Sequence, residues 1–363
     1  MNVASKQKNI VYGNKTETAF FLCLSLFSFQ LILILCGVFF IFFVSFLSGG
    51  TAEANDVRVL ILDGEFNRIP DNREKIVLLD KTAGKLLVGE KPYDGKIEVW
   101  EGGKSLYIID KVNIENYVKG VVEAETGKDW DIEALKAQAV LSRTYAVNRQ
   151  LHSGQMKYDL TSSVLDQVYG GEDGYGQQIS NAVDLTKGQI LVYNGKPIEA
   201  FFHSTSCGET EDPFEVFGKH IPYLKPVKVK CDLSPYNEWA RRFPPDKLEK
   251  ALKAGGIDAG KISDIEVKSH TCTGRAKELI ISGSKGEFTL NAVDMRKYMG
   301  WKDLPSTDFT SQFSNGYWNV KGDGYGHGVG LCQWSALEMA RQGMKYTDIL
   351  SYFYPGTKLV VWK

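Results

Sequence analysis

The opening of this chain constrains it most. Lys6, Lys8 and Lys15 form a positive flank ahead of a run from Ala19 to Leu47 that is apolar except for Ser, Gly, Cys and Gln30. Nearly every face of a helix built from that run is apolar, and its length suffices to span a hydrocarbon layer of ~30 Å. Small residues follow, Ser48-Gly49-Gly50-Thr51-Ala52-Glu53-Ala54, ending in the Ala-x-Ala pattern of a secretory cleavage site. Residues 1–54 therefore predict a signal peptide cleaved after Ala54, or a membrane anchor that is kept. In both cases the positive flank stays in the cytoplasm and the remainder is exported to the wall or periplasm.

Export governs the cysteines. Cys23 and Cys36 belong to the export segment, which leaves Cys207, Cys231, Cys272 and Cys332 in a compartment that permits disulfides. Four cysteines allow three full pairings, and spacing does not choose among them. The formal net charge of −1 over 363 residues gives no support for a nucleic-acid partner, which favours a basic face, and none is expected.

Beyond the export segment, residues 55–110 read as β-rich. Val57 to Leu62, Ile76 to Leu79, Lys85 to Val88, Ile97 to Trp100 and Leu106 to Ile109 are short apolar or alternating runs between turn residues, with Asp94-Gly95 and Gly102-Gly103 as hairpin signals. The clearest helix starts at Asp131, a good N-cap, runs through Ile132-Glu133-Ala134-Leu135-Lys136-Ala137-Gln138-Ala139-Val140 and reaches about Gln150. Leu135, Ala139 and Ala146 fall on one stripe of it. Strands are expected at Gln189 to Tyr193 and Ile198 to Phe202 around an Asn194-Gly195 turn, and at Ile262 to Lys268 and Lys277 to Ser282. Helices are expected at Lys247 to Ala254, Ser335 to Arg341 and Thr347 to Phe353. Short helices and strands without regular alternation predict an α+β fold.

Three segments carry chemistry. In the first, Glu125 precedes the Asp131 helix, on which Lys136 and Arg143 lie seven apart and share a face. An acid near two cations suits a sugar that bears carboxylates. In the second, His203, Cys207 and Cys231 offer zinc-type ligands, but a structural site wants a fourth, and a Cys207–Cys231 disulfide is the open alternative. His203-Ser204 lacks the Gly-x-Ser-x-Gly elbow of a serine hydrolase. The third, Gly322 to Trp334, spaces glycines like a dinucleotide fingerprint without the βαβ context. It reads better as a bare loop that comes close to a ligand or another segment, with His327 as a candidate contact.

Together these segments resemble the stage II sporulation protein D family (SpoIID), whose domain is shared with the amidase enhancers called LytB. The matching residues are Tyr117-Val118-x-Gly120-Val121-Val122-x-x-Glu125, then Glu133 to Val140 with Arg143-Thr144-Tyr145-Ala146. Phe202-His203-Ser204-Thr205-Ser206-x-Gly208-x-Thr210-Glu211 follows, and last Gly326-His327-Gly328-Val329-Gly330-Leu331-x-Gln333-Trp334 with Tyr354-Pro355-Gly356-Thr357. They keep the family's order and span most of the chain after about residue 100, which makes 111–363 a SpoIID-like catalytic domain.

The resemblance implies a lytic transglycosylase that cleaves between N-acetylmuramic acid and N-acetylglucosamine and leaves a 1,6-anhydro end. Glu125 takes the place of the acid, and Lys136 and Arg143 those of the functional cations. Gln138, Tyr145, Ser204, His327 and Gln333 join them as substrate-binding candidates. No cofactor is required for the chemistry, a structural zinc aside. The expected partners are peptidoglycan strands and, if the chain is a non-catalytic enhancer, a cell-wall amidase. One departure stands out: Thr126-Gly127 follows Glu125 where the family often has Met-Pro, and Glu123 is the fallback acid. A proton donor needs a raised pKa, whereas nearby cations lower it. Lys136 and Arg143 are therefore expected to face substrate carboxylates and to leave Glu125 unpaired.

Overall fold

The computed structural model describes residues 56–65, 86–88, 91–93, 95–102, 105–171 and 174–363. The export segment and the Ile76 to Leu79 run lie outside the described residues. No described helix is long and apolar enough to cross a membrane.

The segment is β-rich as expected where it is described, but the strands flanking Asp94-Gly95 do not pair as a hairpin: Lys91–Tyr93 pairs with Leu86–Val88, and Lys96–Gly102 with Ser105–Asn113. Strand Ser105–Asn113 is flanked by antiparallel strands Lys96–Gly102 and Asp56–Glu65, and the last of these also pairs in parallel with the short strand Leu160–Thr161. At Asn113 the central strand turns directly into helix Ile114–Glu125, where the Asn113 side chain accepts from the Glu115 N–H at 3.0 Å and satisfies a free helix-end donor. Asp131 caps the next helix, Ile132–Ser153, in the same way at 2.8 Å, as its position predicts.

That second helix is the axis of the fold. It is buried on most sides, and its alanines let neighbours approach closely. Leu135, Ala139 and Ala146 face one core with Val57, Val59, Val118, Val121 and Val122. Ala134, Ala137, Val140 and Leu141 face another with Leu191, Ile198, Val329, Leu331, Leu337 and Phe353.

The hairpin at Asn194-Gly195 forms, with both residues at positive φ (50° and 77°), which suits the tight turn between Gln189–Tyr193 and Lys196–Pro197. The strand expected over Ile198 to Phe202 does not continue there. After Ile198 donates to the Leu191 carbonyl, the chain leaves that hairpin, and Phe202–His203 pairs in parallel with Leu331–Cys332. This two-residue ladder sets the His203 segment beside the glycine-rich segment.

Between them lies a module that the sequence reading did not separate. Trp239, Leu248, Ile265, Leu279, Met295, Trp318 and their neighbours, all within residues 239–320, form a core of their own. It is built from two three-stranded sheets and the helices Pro245–Ala254 and Ala292–Met299.

Candidate active site

Glu125 is the last residue of helix Ile114–Glu125. The Thr126-Gly127 departure proves to be a capping device. Both the N–H and the hydroxyl of Thr126 donate to the Val122 carbonyl, at 3.0 and 2.8 Å, and close the helix one residue beyond the acid. A Cβ at Gly127 would stand 2.5 Å from the Trp130 indole, so the bare backbone lets Trp130 fold back over the turn. Trp130 in turn meets Trp334 edge-on, with ring centroids 5.1 Å apart. The turn after the acid and the start of helix Gln333–Arg341 are thereby joined.

The Glu125 carboxyl accepts the Val168 backbone N–H at 2.9 Å and is hydrogen-bonded by the Gln333 side chain. Gln333 also donates to Gln138 at 3.3 Å, and Gln138 to Ser142 at 3.2 Å. Gln138 and Gln333 are therefore buried and orient the acid, with Gln333 in direct contact with it. Among the described residues no cation pairs with Glu125. Burial raises its pKa, and the hydrogen bonds from Val168 and Gln333 offset only part of that rise. Glu123, the fallback, is tied to the Lys128 ammonium at 2.9 Å and to the Gly176 N–H at 3.1 Å.

The two expected cations behave differently from one another. Lys136 pairs with Glu133 one turn back on its own helix at 2.9 Å and lies 5.6 Å from the Tyr346 ring centroid. Arg143 is a correction: it is 1% exposed and grips Glu115 with two nitrogens, at 3.0 and 2.6 Å. It also donates to the carbonyls of Ala139, Val183 and Gln189. A guanidinium so fully committed staples the core and has no free edge for a substrate.

The zinc expectation is corrected too. Cys207 and Cys231 form a disulfide, which removes both thiolates. Each ring nitrogen of His203 is engaged, one with the Val329 carbonyl at 3.1 Å and the other with the Ser206 hydroxyl at 2.6 Å. Burial holds His203 well below the usual imidazole pKa. These residues do not fit a zinc site, and no cluster of three or more metal-ligating side chains occurs among the described residues.

His327 accepts the Val329 N–H at 3.0 Å and is hydrogen-bonded to the Phe202 backbone. Burial and the nearby Arg296 charge push its pKa down to about 3, so the ring is neutral at physiological pH. It fixes the glycine-rich loop and presents a face to solvent space. Ser204 pairs its hydroxyl with Thr205 and gives its carbonyl to the Trp334 N–H.

Beside Glu125 runs a cleft of about 340 Å³. Tyr145, Phe201, Phe217, Tyr325 and His327 line it, and Arg296 and Trp301 enter from the 239–320 module. Glu125 does not line the cleft; its link to it is Val168, two residues after Asp166, which does line it. Tyr145 donates to Asp166 at 2.9 Å.

The model of the family described as "Stage II sporulation protein" matches residues 102–193, which include Glu125 and the long helix. A stage II sporulation protein D of Bacillus amyloliquefaciens is 34% identical over 272 residues, covering 70% of this chain and 76% of that one. The chain belongs to the SpoIID family. An amidase enhancer of Bacillus subtilis is 29% identical over 67% of this chain, which spans 40% of the enhancer's length. An uncharacterised protein of Brachyspira hyodysenteriae is 32% identical over 74% of this chain and 72% of its own. A second family model, a domain of unknown function (DUF8618), matches residues 233–330. That range takes in the separate module and the glycine-rich loop, so this SpoIID chain carries the module between its second and third motifs.

Sequence reasoning missed Val168, Asp166, Tyr325, Arg296 and Trp301. Val168 contributes only a backbone N–H, which no side-chain pattern reports. Asp166, Arg296 and Trp301 lie outside the three segments, and Tyr325 lies inside the third, where His327 was the residue singled out.

Proposed function

We propose that this SpoIID protein acts on peptidoglycan glycan strands outside the cytoplasmic membrane, as a lytic transglycosylase. Family membership supports the cell-wall role. The observation that supports the chemistry is the state of Glu125: a carboxyl partly buried, unpaired with any described cation, raised in pKa and aimed by Val168 and Gln333 beside an aromatic cleft.

Such a carboxyl stays protonated to higher pH than an exposed one and can donate to the glycosidic oxygen between muramic acid and glucosamine. As that C–O bond breaks, the muramic 6-hydroxyl attacks the anomeric carbon. Its proton returns to the carboxylate, which restores the acid and leaves a 1,6-anhydro end without using water. One carboxyl thus serves in both steps. Asp166, the acid that lines the cleft, is occupied by Tyr145, Arg149 and Thr161, which fits a single-acid mechanism. The aromatic walls suit the apolar faces of sugar rings.

The second reading is a glycan-binding module that enhances a separate amidase, as the name of the Bacillus subtilis relative suggests. Incubation of the purified protein and its Glu125→Gln variant with glycan strands, followed by mass spectrometry, separates the two. Anhydro-muramic ends from the wild type alone support the enzyme. Binding by both without cleavage gives precedence to the module.

A further inference from the structure

Arg296 is a cation of the cleft that no acid among the described residues pairs with. It lies on helix Ala292–Met299, is 7% exposed, and donates through Nε to the Leu304 carbonyl at 2.9 Å. Its guanidinium lies 4.6 Å from the Trp301 ring centroid, and both side chains line the cleft. Among the described residues it has no ion pair. The contrast with Arg275, from the same module, is direct: Arg275 lies 3.7 Å from Glu211 and 3.5 Å from Asp308. Asp166, which also lines the cleft, is spent on Tyr145, Arg149 and Thr161.

A buried charge without a counter-ion is destabilising, and burial together with Arg275 pushes the Arg296 pKa down to about 10. The group nevertheless remains charged at neutral pH. An indole against a guanidinium holds its plane and leaves the edge N–H groups for a bidentate acceptor.

We propose that Arg296 and Trp301 form a carboxylate subsite on the cleft beside Glu125, supplied by the inserted module and filled by the lactyl carboxylate of a muramic acid unit. This rests on the reading that the cleft holds a peptidoglycan strand. In a polymer that alternates muramic acid with glucosamine, only the first sugar carries that carboxylate. A subsite that reads it sets the strand's register by one sugar and so decides which of the two kinds of glycosidic bond meets Glu125. The role expected of Lys136 and Arg143 passes to a cation far along the chain.

Binding is measured on the full chain carrying Glu125→Gln, which prevents turnover. The probes are a peptide-free muramic-acid tetrasaccharide, its methyl ester and chitotetraose. The acid form is expected to bind about tenfold or more tightly than the ester or chitotetraose, with the difference shrinking in high salt. Adding Arg296→Gln removes that preference, while Arg296→Lys restores part of it. Equal affinity of the Glu125→Gln protein for acid and ester overturns the proposal even if Arg296→Gln fails to fold, as does a preference that survives Arg296→Gln. Cleavage is read separately with the wild type. Preference without cleavage leaves the subsite standing and removes the transglycosylase reading, and cleavage without preference does the reverse.

Discussion

The backbone N–H of Val168 meets the Glu125 carboxyl at 2.9 Å across 43 residues of sequence. The bond fixes the direction of the acid without supplying a charge, so burial dominates its proton affinity. Glu125→Gln keeps an acceptor for Val168 and removes the exchangeable proton. The expected loss in glycan cleavage is about 10²–10⁴-fold, with an unchanged circular dichroism spectrum. Cleavage within a few-fold of wild type would remove Glu125 from the chemistry.

The pH dependence follows from the same raised pKa. A general acid works while protonated, so cleavage falls as pH rises through the Glu125 pKa, and that limb lies at higher pH than for an exposed glutamate. A pH–rate profile of the wild type measures it.

Stability runs in parallel. A carboxyl whose folded pKa is raised contributes stability that is full below its unfolded pKa and is lost as pH rises through its folded pKa. Glu125→Gln should therefore melt at a higher temperature than wild type near neutral pH, with the gap closing below about pH 4, near the unfolded Glu value. A lower melting temperature for the variant at pH 7 contradicts this.

Arg143→Met tests the structural role of that cation. It strands Glu115, which keeps only the Gly188 N–H, and removes the guanidinium bonds to three carbonyls. The expected cost is about 3–5 kcal/mol by denaturant unfolding. The apparent affinity of the surviving folded protein for glycan should stay unchanged; a large affinity loss at intact stability would return Arg143 to the substrate.

The disulfide gives a further comparison. Cys207 and Cys231 are 24 residues apart in sequence, and closing a loop of that size stabilises by about 3 kcal/mol. Reductant should lower the melting temperature, whereas a chelator should leave it unchanged. The opposite pattern would restore the metal site.

Much of the fold was legible because its signals are local. The Asp131 cap, the Ala-rich helix after it and the Asn194-Gly195 hairpin are each written within a few residues, and the structure has all three. The sequence put Glu125 in the loop ahead of the Asp131 helix, whereas the structure ends helix Ile114–Glu125 on it, and residue types alone could not distinguish a structural cation from a substrate-facing one. Arg143 has the same chemistry in either role, and the partner that decides, Glu115, lies 28 residues earlier on another helix.

What the sequence by itself determined is the set of local elements and the residues able to do acid chemistry, since caps, turns and periodicity act over short spans. Only the tertiary structure decided which groups meet. The Phe202–His203 ladder with Leu331–Cys332 closes around the module within residues 239–320, Gln333 reaches Glu125 from beyond it, and Arg296 arrives at the cleft from within it. Those contacts depend on how separate cores pack against one another, and packing leaves no periodic mark in the chain.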